Sequence, residues 1–216
     1  MKFILMLICA IVILFLIFKI VYCLFFEKKN NTFDIYFGVP GSGKTTFAAW
    51  LTKKCQKNKR DVYSTVPIKG TYQVEKDDIG YYDISDGLLC WDEAGVDCDN
   101  RNYKSNFSPK QVKWLKYHRH YNVDIACFSQ YWNDIDIKLR NLATRLFLVQ
   151  KSFIPFFVKR REIGKRIGID EQTKQIIDEY YFVPFSTKRI FCKELWKMFN
   201  SHEREELPRK DFKKYE

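Results

Sequence analysis

The feature that most constrains the fold of this chain is its glycine-rich segment, residues 38–45, which reads Gly-Val-Pro-Gly-Ser-Gly-Lys-Thr. The segment satisfies the phosphate-binding pattern G-x-x-x-x-G-K-[ST] at every position. The glycines permit a tight turn whose backbone N–H groups point at phosphate oxygens, and a following helix adds its positive dipole end. In this pattern Lys44 contacts the β and γ phosphates, and the Thr45 hydroxyl binds magnesium. The predicted residues for ATP and Mg²⁺ are Gly38, Pro40, Gly41, Ser42, Gly43, Lys44, Thr45 and Thr46.

The residues on either side of the loop predict a strand, a loop and a helix in that order. Residues 32–37 are β-branched and aromatic, which is typical of a strand. Residues 45–58 carry apolar side chains at helical spacing, with lysines near the end. A chance glycine-rich turn is the alternative, and the agreement between the motif and its flanks argues against it.

A pair of acidic residues further along the chain predicts the metal and water-activating groups. Residues 88–91, Leu-Leu-Cys-Trp, form a short apolar run that is typical of a strand buried on both faces. Asp92 and Glu93 follow at its carboxyl end, where ligands bind in open α/β sheets. We expect Asp92 to bind the magnesium shell and Glu93 to activate the water that attacks the γ phosphate. An ordinary acidic turn is the alternative.

The next two segments predict a basic helix and another buried strand. Ser108 is a good cap for a helix that continues to about residue 120 and carries many basic side chains. These side chains form either a solvated face or a phosphate-contacting one. Residues 123–130 predict a strand, and Gln130 at its end is placed to sense the γ phosphate or to position water. The alternative is that Gln130 only begins a loop.

Two arginines after this strand are candidates for a catalytic role between subunits. Residues 134–143 predict a helix and residues 145–149 the next strand. Arg140 and Arg145 are each candidates for an arginine finger that reaches the nucleotide of a neighbouring subunit. A salt bridge is an equally weighted alternative for each of them.

The remaining segments complete an α/β pattern. Strands are predicted at residues 61–66, 80–84 and 153–161, and a closing amphipathic helix at residues 186–200. The alternation of strands and helices predicts a P-loop NTPase fold over residues 30–200. Such a fold has a mostly parallel sheet with helices on both faces.

The N-terminus carries a long apolar run, residues 3–26, in which Lys19 is the one charged residue. As a helix the run would span about 36 Å, more than the ~30 Å of a bilayer core. A cleaved signal peptide is the alternative, and its apolar region is shorter and ends in small residues. We therefore expect a single-pass transmembrane anchor over residues 1–29. Because the site needs nucleotide, we expect the domain on the cytoplasmic side of the membrane, followed by a charged tail over residues 201–216.

The net charge indicates which partners the chain could bind, and the cysteine pattern indicates whether it has disulfides or a zinc site. The chain has a formal net charge of +11, and residues 27–216 hold 35 basic and 26 acidic side chains. This excess fits a polyanionic partner, either nucleic acid or the anionic inner leaflet, although lysines that only maintain solubility are the alternative. The seven cysteines include no C-x-x-C pair, which argues against a disulfide framework and a zinc site.

Five segments occur in an order that resembles the zonular occludens toxin family, over roughly residues 32–160. They are GVPGSGKTT, LLCWDEAG, the basic helix ending in His118-Arg119-His120, DIACFSQ, and Ile135-Asp136 with Leu139-Arg140. The family includes the assembly ATPases of filamentous phages (inoviruses), which are relatives of the FtsK–HerA motors. By this resemblance Arg101 and Arg140 match arginines that follow the acidic pair and the later helix.

The resemblance implies an ATPase of the inner membrane that drives extrusion of single-stranded DNA while phage coat protein is added. It also implies a homo-oligomeric ring. Members of this family commonly carry the membrane span after the ATPase domain, whereas here the apolar run comes first. Three alternatives remain: a DNA translocase for conjugation, plasmid mobilisation or packaging, a small-molecule kinase at the membrane, and a nucleotide-binding assembly scaffold. Kinases in general lack a water activator such as Glu93.

Overall fold

The structure is a computed structural model that describes residues 2–26, 31–97, 107–169 and 176–200. Its α-helices are α1 (Lys2–Phe26), α2 (Lys44–Lys57), α3 (Ala94–Asp97), α4 (Pro109–Tyr117) and α5 (Ile137–Leu142). Its strands are β1 (Phe33–Phe37), β2 (Asp61–Ser64), β3 (Tyr72–Gln73), β4 (Gly87–Trp91), β5 (Asp124–Ser129), β6 (Arg145–Lys151), β7 (Phe157–Ile169), β8 (Ile176–Phe182) and β9 (Lys188–Phe191). Short 3₁₀ helices cover Lys76–Asp78, Trp132–Asp134 and Leu195–Met198.

The described strands form one sheet in the order β3-β2-β4-β5-β1-β6-β7-β8, with β9 also paired to β7. All pairs from β3 to β6 are parallel, and β7 joins β6 in the antiparallel sense. β8 and β9 extend the antiparallel part. The carboxyl ends of β1, β4 and β5 therefore meet at one edge of the sheet, and the predicted mostly parallel α/β sheet is confirmed.

Two apolar clusters cover the two faces of the sheet. Trp114 of α4 and Leu139 of α5 pack in one cluster, together with Phe33 and Ile35 of β1. Helix α2 packs in the other cluster through Phe47 and its neighbours. The central strands are covered on both faces, so consecutive side chains along them are apolar. In β4, for example, every residue is buried.

The residue that precedes each of the helices α2 and α4 determines where the helix begins. Gly43 precedes α2 with a φ of 97°, a left-handed conformation that favours glycine. Ser108 caps α4, because its hydroxyl accepts the Gln111 N–H and the Gln111 side chain accepts the Ser108 N–H. The predicted start of the basic helix is thus correct.

The predicted strand at residues 153–161 begins only at Phe157, as β7, and two other predictions of secondary structure were wrong. The predicted strand at residues 80–84 is a turn, in which the N–H groups of Tyr81 and Tyr82 both donate to the Asp78 carbonyl. The predicted closing helix at residues 186–200 is instead strand β9 followed by the 3₁₀ helix Leu195–Met198. β9 satisfies its backbone groups by pairing with β7, which a pattern read along the chain alone does not reveal.

Helix α1 contains the apolar N-terminal run, and the structure describes side chains at positions 6, 8–18 and 21 of it. Within the part of the chain that the structure describes with its side chains, no helix is long and apolar enough to cross a membrane. The transmembrane anchor over residues 1–29 stays a prediction. The predicted tail over residues 201–216 lies outside the described residues.

Candidate nucleotide site

A cavity of about 560 Å³ lies at the carboxyl ends of β1, β4 and β5. Its lining residues are Pro40, Gly41, Gly43, Lys44, Thr45, Thr46, Asp92, Glu93, Gln130, Trp196 and Phe199. Most of the predicted phosphate, metal and catalytic residues therefore share one space. Of the two predicted loop residues that do not line the cavity, Gly38 binds the Lys44 side chain through its carbonyl and Ser42 is buried.

The phosphate-binding loop needs its glycines for two physical reasons. Gly41 has a φ of 70° and Gly43 a φ of 97°, values that other residues adopt only with strain. A Cβ atom at Gly43 would also collide with the side chain of Val158 in β7. The tight turn and the close approach of β7 thus both depend on the absence of a side chain at this position.

Lys44 folds back along the loop. Its Nζ donates to the Gly38 carbonyl at 2.8 Å and lies 3.4 Å from the Val39 carbonyl. Burial lowers the pKa of Lys44, while Asp92 and Glu93 act in the opposite direction. The two carbonyls hold the ammonium at the mouth of the loop, where it can exchange them for the phosphate oxygens of a ligand.

Thr45 and Asp92 make direct contact across the cavity. The Thr45 hydroxyl donates to Asp92 Oδ2 at 3.1 Å, and Asp92 Oδ1 accepts the Glu93 N–H at 3.0 Å. Burial raises the pKa of Asp92, and these two hydrogen bonds and Lys44 lower it in part. A hydroxyl beside a carboxylate is the oxygen donor set that Mg²⁺ prefers, so the residues present fit the predicted ion.

Thr65 holds the backbone of Asp92, and no motif in the sequence includes this residue. Its hydroxyl accepts the Asp92 N–H at 3.0 Å and lies 3.4 Å from the Asp92 carbonyl. Thr65 follows β2, which pairs with β4 in register, so the contact depends on a long-range alignment. The sequence placed Thr65 inside the predicted strand at residues 61–66, whereas β2 ends at Ser64, so the sequence did not indicate that its hydroxyl is free to bind Asp92.

Glu93 and Gln130 line the same cavity at the ends of β4 and β5. Glu93 is exposed to solvent and has a φ of 53°, in the left-handed region that a glutamate seldom adopts. This backbone conformation places the carboxylate beside the loop, where a water molecule can reach it. The structure brings both predicted catalytic side chains to the predicted edge of the sheet, and their chemical roles stay predictions.

The candidate arginines lie away from this cavity within the described chain. Arg140 stands over the Trp132 ring at 5.4 Å and lines a separate cavity of about 270 Å³. Arg145 makes a paired contact with Asp34, with Nε and Nη2 donating at 2.9 Å and 2.6 Å. The salt-bridge alternative is therefore correct for Arg145. Action of Arg140 on a neighbouring subunit stays a prediction, and Arg101 lies outside the described residues.

The basic helix α4 divides into a buried and an exposed part. His118, at its end, is 4% exposed and contacts the carbonyls of Leu115 and Asn31 at 2.8 Å and 3.2 Å. This histidine is part of the packing of the domain. Lys110, Lys113 and Lys116 of the helix, and Arg119 just after it, face solvent.

Three further residues at the site have no place in the motifs. Lys151, at the end of β6, holds its Nζ 3.9 Å from the position that a Cβ of Gly41 would occupy. Trp196 and Phe199 line the cavity from the segment that follows β9. The sequence predicted one closing helix over residues 186–200, so the approach of these two aromatics to the loop was not predicted.

Residues 69–162 match the family model of zonular occludens toxin (Zot). The match covers less than half of the chain, so over this segment the chain is similar to the Zot family. The matched segment includes β4 to β6 with Asp92, Glu93 and Gln130, and the phosphate-binding loop precedes it. No curated protein sequence matches the chain significantly.

Solved structures provide weaker likenesses. The N-terminal domain of zonular occludens toxin from Neisseria meningitidis is 19% identical, with a TM-score of 0.49, over 80% of this chain and 100% of that one. The genome packaging NTPase B204 of Sulfolobus turreted icosahedral virus 2, solved with AMP, is 12% identical, with a TM-score of 0.45, over 70% and 98%. A DnaB-like replicative helicase is 11% identical, with a TM-score of 0.43, over 70% and 55%. All three TM-scores are below 0.5, so the similarity to the Zot family rests on the sequence match.

Proposed function

We propose that this domain is a Zot-like ATPase and that its turnover drives extrusion of single-stranded DNA during filamentous phage assembly. The observation that carries the proposal is the shared cavity, in which the Thr45 hydroxyl meets the Asp92 carboxylate at 3.1 Å beside Lys44 and Glu93. A hydroxyl, a carboxylate, an ammonium and an exposed second carboxylate are the groups that phosphoryl transfer to water requires.

Each of these side chains has a defined part in the proposed reaction. The backbone N–H groups of the loop and Lys44 bind the phosphates and offset the charge that develops on them. Glu93 orients a water molecule and accepts its proton as the water oxygen bonds to the γ phosphorus and the bond to the β–γ bridging oxygen breaks. Gln130 holds the same water molecule or contacts the γ phosphate.

Thr45 and Asp92 are the residues that would hold Mg²⁺. The bound ion supplies positive charge against the phosphate oxygens. Because Thr65 fixes the backbone of Asp92, the carboxylate is directed at Thr45 before the ion arrives. The pair is thus prepared for a hard cation with two oxygen donors.

The motor part of the proposal is supported by sequence features outside the cavity. The ordered segments that resemble filamentous phage assembly ATPases support a role in extrusion, and the net charge of +11 suits a polyanion such as DNA. The apolar run over residues 3–26 of the sequence supports an anchor in the host inner membrane, with the domain on the cytoplasmic side. We propose a homo-oligomeric ring in which Arg140 reaches the neighbouring nucleotide, and phage coat or assembly proteins as further partners.

Substitution of Lys44 tests the nucleotide site. Lys44→Ala removes the ammonium from the phosphates and should abolish ATP binding and turnover, measured by equilibrium binding and phosphate release with the full chain in detergent micelles. Lys113→Ala is the matched control, because Lys113 is exposed on α4 and does not line the cavity. Unchanged turnover in Lys44→Ala would refute the site.

Substitution of Glu93 tests the water-activating role. Glu93→Gln keeps the shape of the side chain and removes the base, so ATP should bind while the turnover number falls about 10²- to 10⁴-fold. Asp77→Asn, an exposed acid outside the cavity, is the control and should leave turnover unchanged. Hydrolysis by Glu93→Gln at the parent rate would exclude Glu93 as the base.

The same assay tests the motor. Single-stranded DNA should raise the rate of phosphate release by the full chain. Failure of DNA to change the rate, in a chain that does hydrolyse ATP, would argue against a DNA motor.

A further inference from the structure

The cavity has a polar part and an apolar part. Its charged, hydroxyl, amide and glycine members account for phosphates, magnesium and water, whereas Pro40, Trp196 and Phe199 are its apolar members. A triphosphate chain carries no apolar surface and gains nothing from two aromatic rings. The aromatic part therefore suits a different portion of the ligand, one that is flat and weakly polar.

The segment that carries these aromatic residues is fixed to the domain by its other residues. Leu195 is 3% exposed, and the Met198 carbonyl accepts the Lys69 N–H at 2.7 Å. Glu194 pairs with Lys53 of α2 at 2.9 Å, and Phe199 forms a β-bridge with Ile68. The segment thus has contacts along its length that do not involve the indole of Trp196.

Trp196 itself is 48% exposed although its neighbours are anchored. Its ring centroid lies 6.1 Å from that of Phe156, so one edge of the indole has an aromatic neighbour. An indole held half-exposed at the wall of a polar cavity leaves a large planar surface available to a ligand.

We propose that Trp196, together with Phe199, forms the surface on which the nucleobase of the bound nucleoside triphosphate stacks. The inference rests on the proposed nucleotide site and adds the part that binds the base. Stacking is tolerant of base identity because every base has a planar face, and purines offer more of it than pyrimidines do. Loss of one such stack corresponds to about a 5- to 150-fold weaker affinity.

The test compares two probes that share the phosphates and differ in the base. Affinities of Mg·ATP and Mg·tripolyphosphate are measured by calorimetry for the full chain in detergent micelles, without DNA. Trp196→Ala should weaken ATP binding by at least about 5-fold and leave tripolyphosphate binding unchanged. Trp196→Phe should recover most of the ATP affinity, and Phe153→Ala, an exposed aromatic outside the cavity, should have the affinities of the unmodified chain.

The unmodified chain provides a second measurement that needs no variant. ATP should change the tryptophan fluorescence by stacking on Trp196, whereas tripolyphosphate should not. If the unmodified chain binds both probes equally tightly, or if Trp196→Ala weakens both equally, the base surface is refuted while the phosphate site stands. If the unmodified chain binds neither probe, the proposed nucleotide site fails, and the base surface fails with it.

Discussion

Arg145 gives the sharpest test of a structural assignment, because the sequence allowed two roles for it. Its guanidinium donates to both carboxylate oxygens of Asp34, at 2.9 Å and 2.6 Å. The two side chains are 25% and 7% exposed. For charge centres about 4 Å apart and an effective dielectric constant of about 20, the attraction is about 4 kcal/mol. Removal of one partner from a buried pair typically costs about 3–5 kcal/mol, because the other charge is left unpaired.

Arg145→Met should therefore destabilise the folded domain by about 3–5 kcal/mol at neutral pH, a fall of roughly 6–20 °C in midpoint temperature for a domain of this size. The measurement is urea unfolding followed by tryptophan fluorescence, to which the buried Trp91 contributes, with the midpoint temperature as a second readout. The matched control is the double variant Asp34→Asn, Arg145→Met. Because no charge is then buried, it should recover much of the lost stability.

The same variant should have a characteristic pH dependence. Burial raises the pKa of Asp34, and Arg145 lowers it only in part, so removal of Arg145 raises that pKa further. A carboxyl group with a raised folded-state pKa contributes full stability below its unfolded pKa of about 3.9 and loses that contribution as pH rises through the folded-state value. The deficit of Arg145→Met should thus be largest at neutral pH and shrink as pH falls towards about 4. A variant that keeps its midpoint temperature within about 1 °C but loses turnover would refute the ion-pair role and support the arginine finger.

Two further predictions concern residues that the motifs do not include. Thr65→Val leaves the Asp92 N–H without its 3.0 Å acceptor, so the domain should lose about 1–3 kcal/mol of stability. Magnesium-dependent ATP turnover should also fall. Turnover that stays unchanged across a magnesium titration would show that Thr65 does not position Asp92. Lys151→Met removes the ammonium beside Gly41 and should weaken ATP binding about 10-fold. The affinity is measured by calorimetry, with the exposed Lys113→Met as the control. Equal affinities in both variants would place Lys151 outside the phosphate site.

The sequence predicted the parts of the fold that depend on local chemistry. The phosphate-binding loop, the start of α2 and the Ser108 cap each follow from a few adjacent residues, and the structure confirms their positions. The strand β4 was predictable because a run of apolar residues this short is typical of a strand covered on both faces. Asp92 and Glu93 then fell at the correct edge because parallel strands end together.

The parts that were missed depend on contacts between distant segments. Residues 186–200 have an amphipathic pattern, yet Ile190 and Leu195 are buried while Phe191 and Trp196 are about half exposed, which no single helix face accounts for. Pairing of β9 with β7 overrides the helical pattern. Lys151 reaches Gly41 only because β6 lies beside β1 in the sheet, and a lysine at a turn carries no local indication of this.

The left-handed backbone of Glu93, with its φ of 53°, has a consequence for protein engineering. Glycine adopts this conformation without strain, and such strain is of order 1–3 kcal/mol for a residue with a side chain. A screen that selects variants only for heat resistance would thus enrich glycine at this position. The most heat-resistant variants from such a library would therefore lack the carboxylate that we propose activates water for ATP hydrolysis.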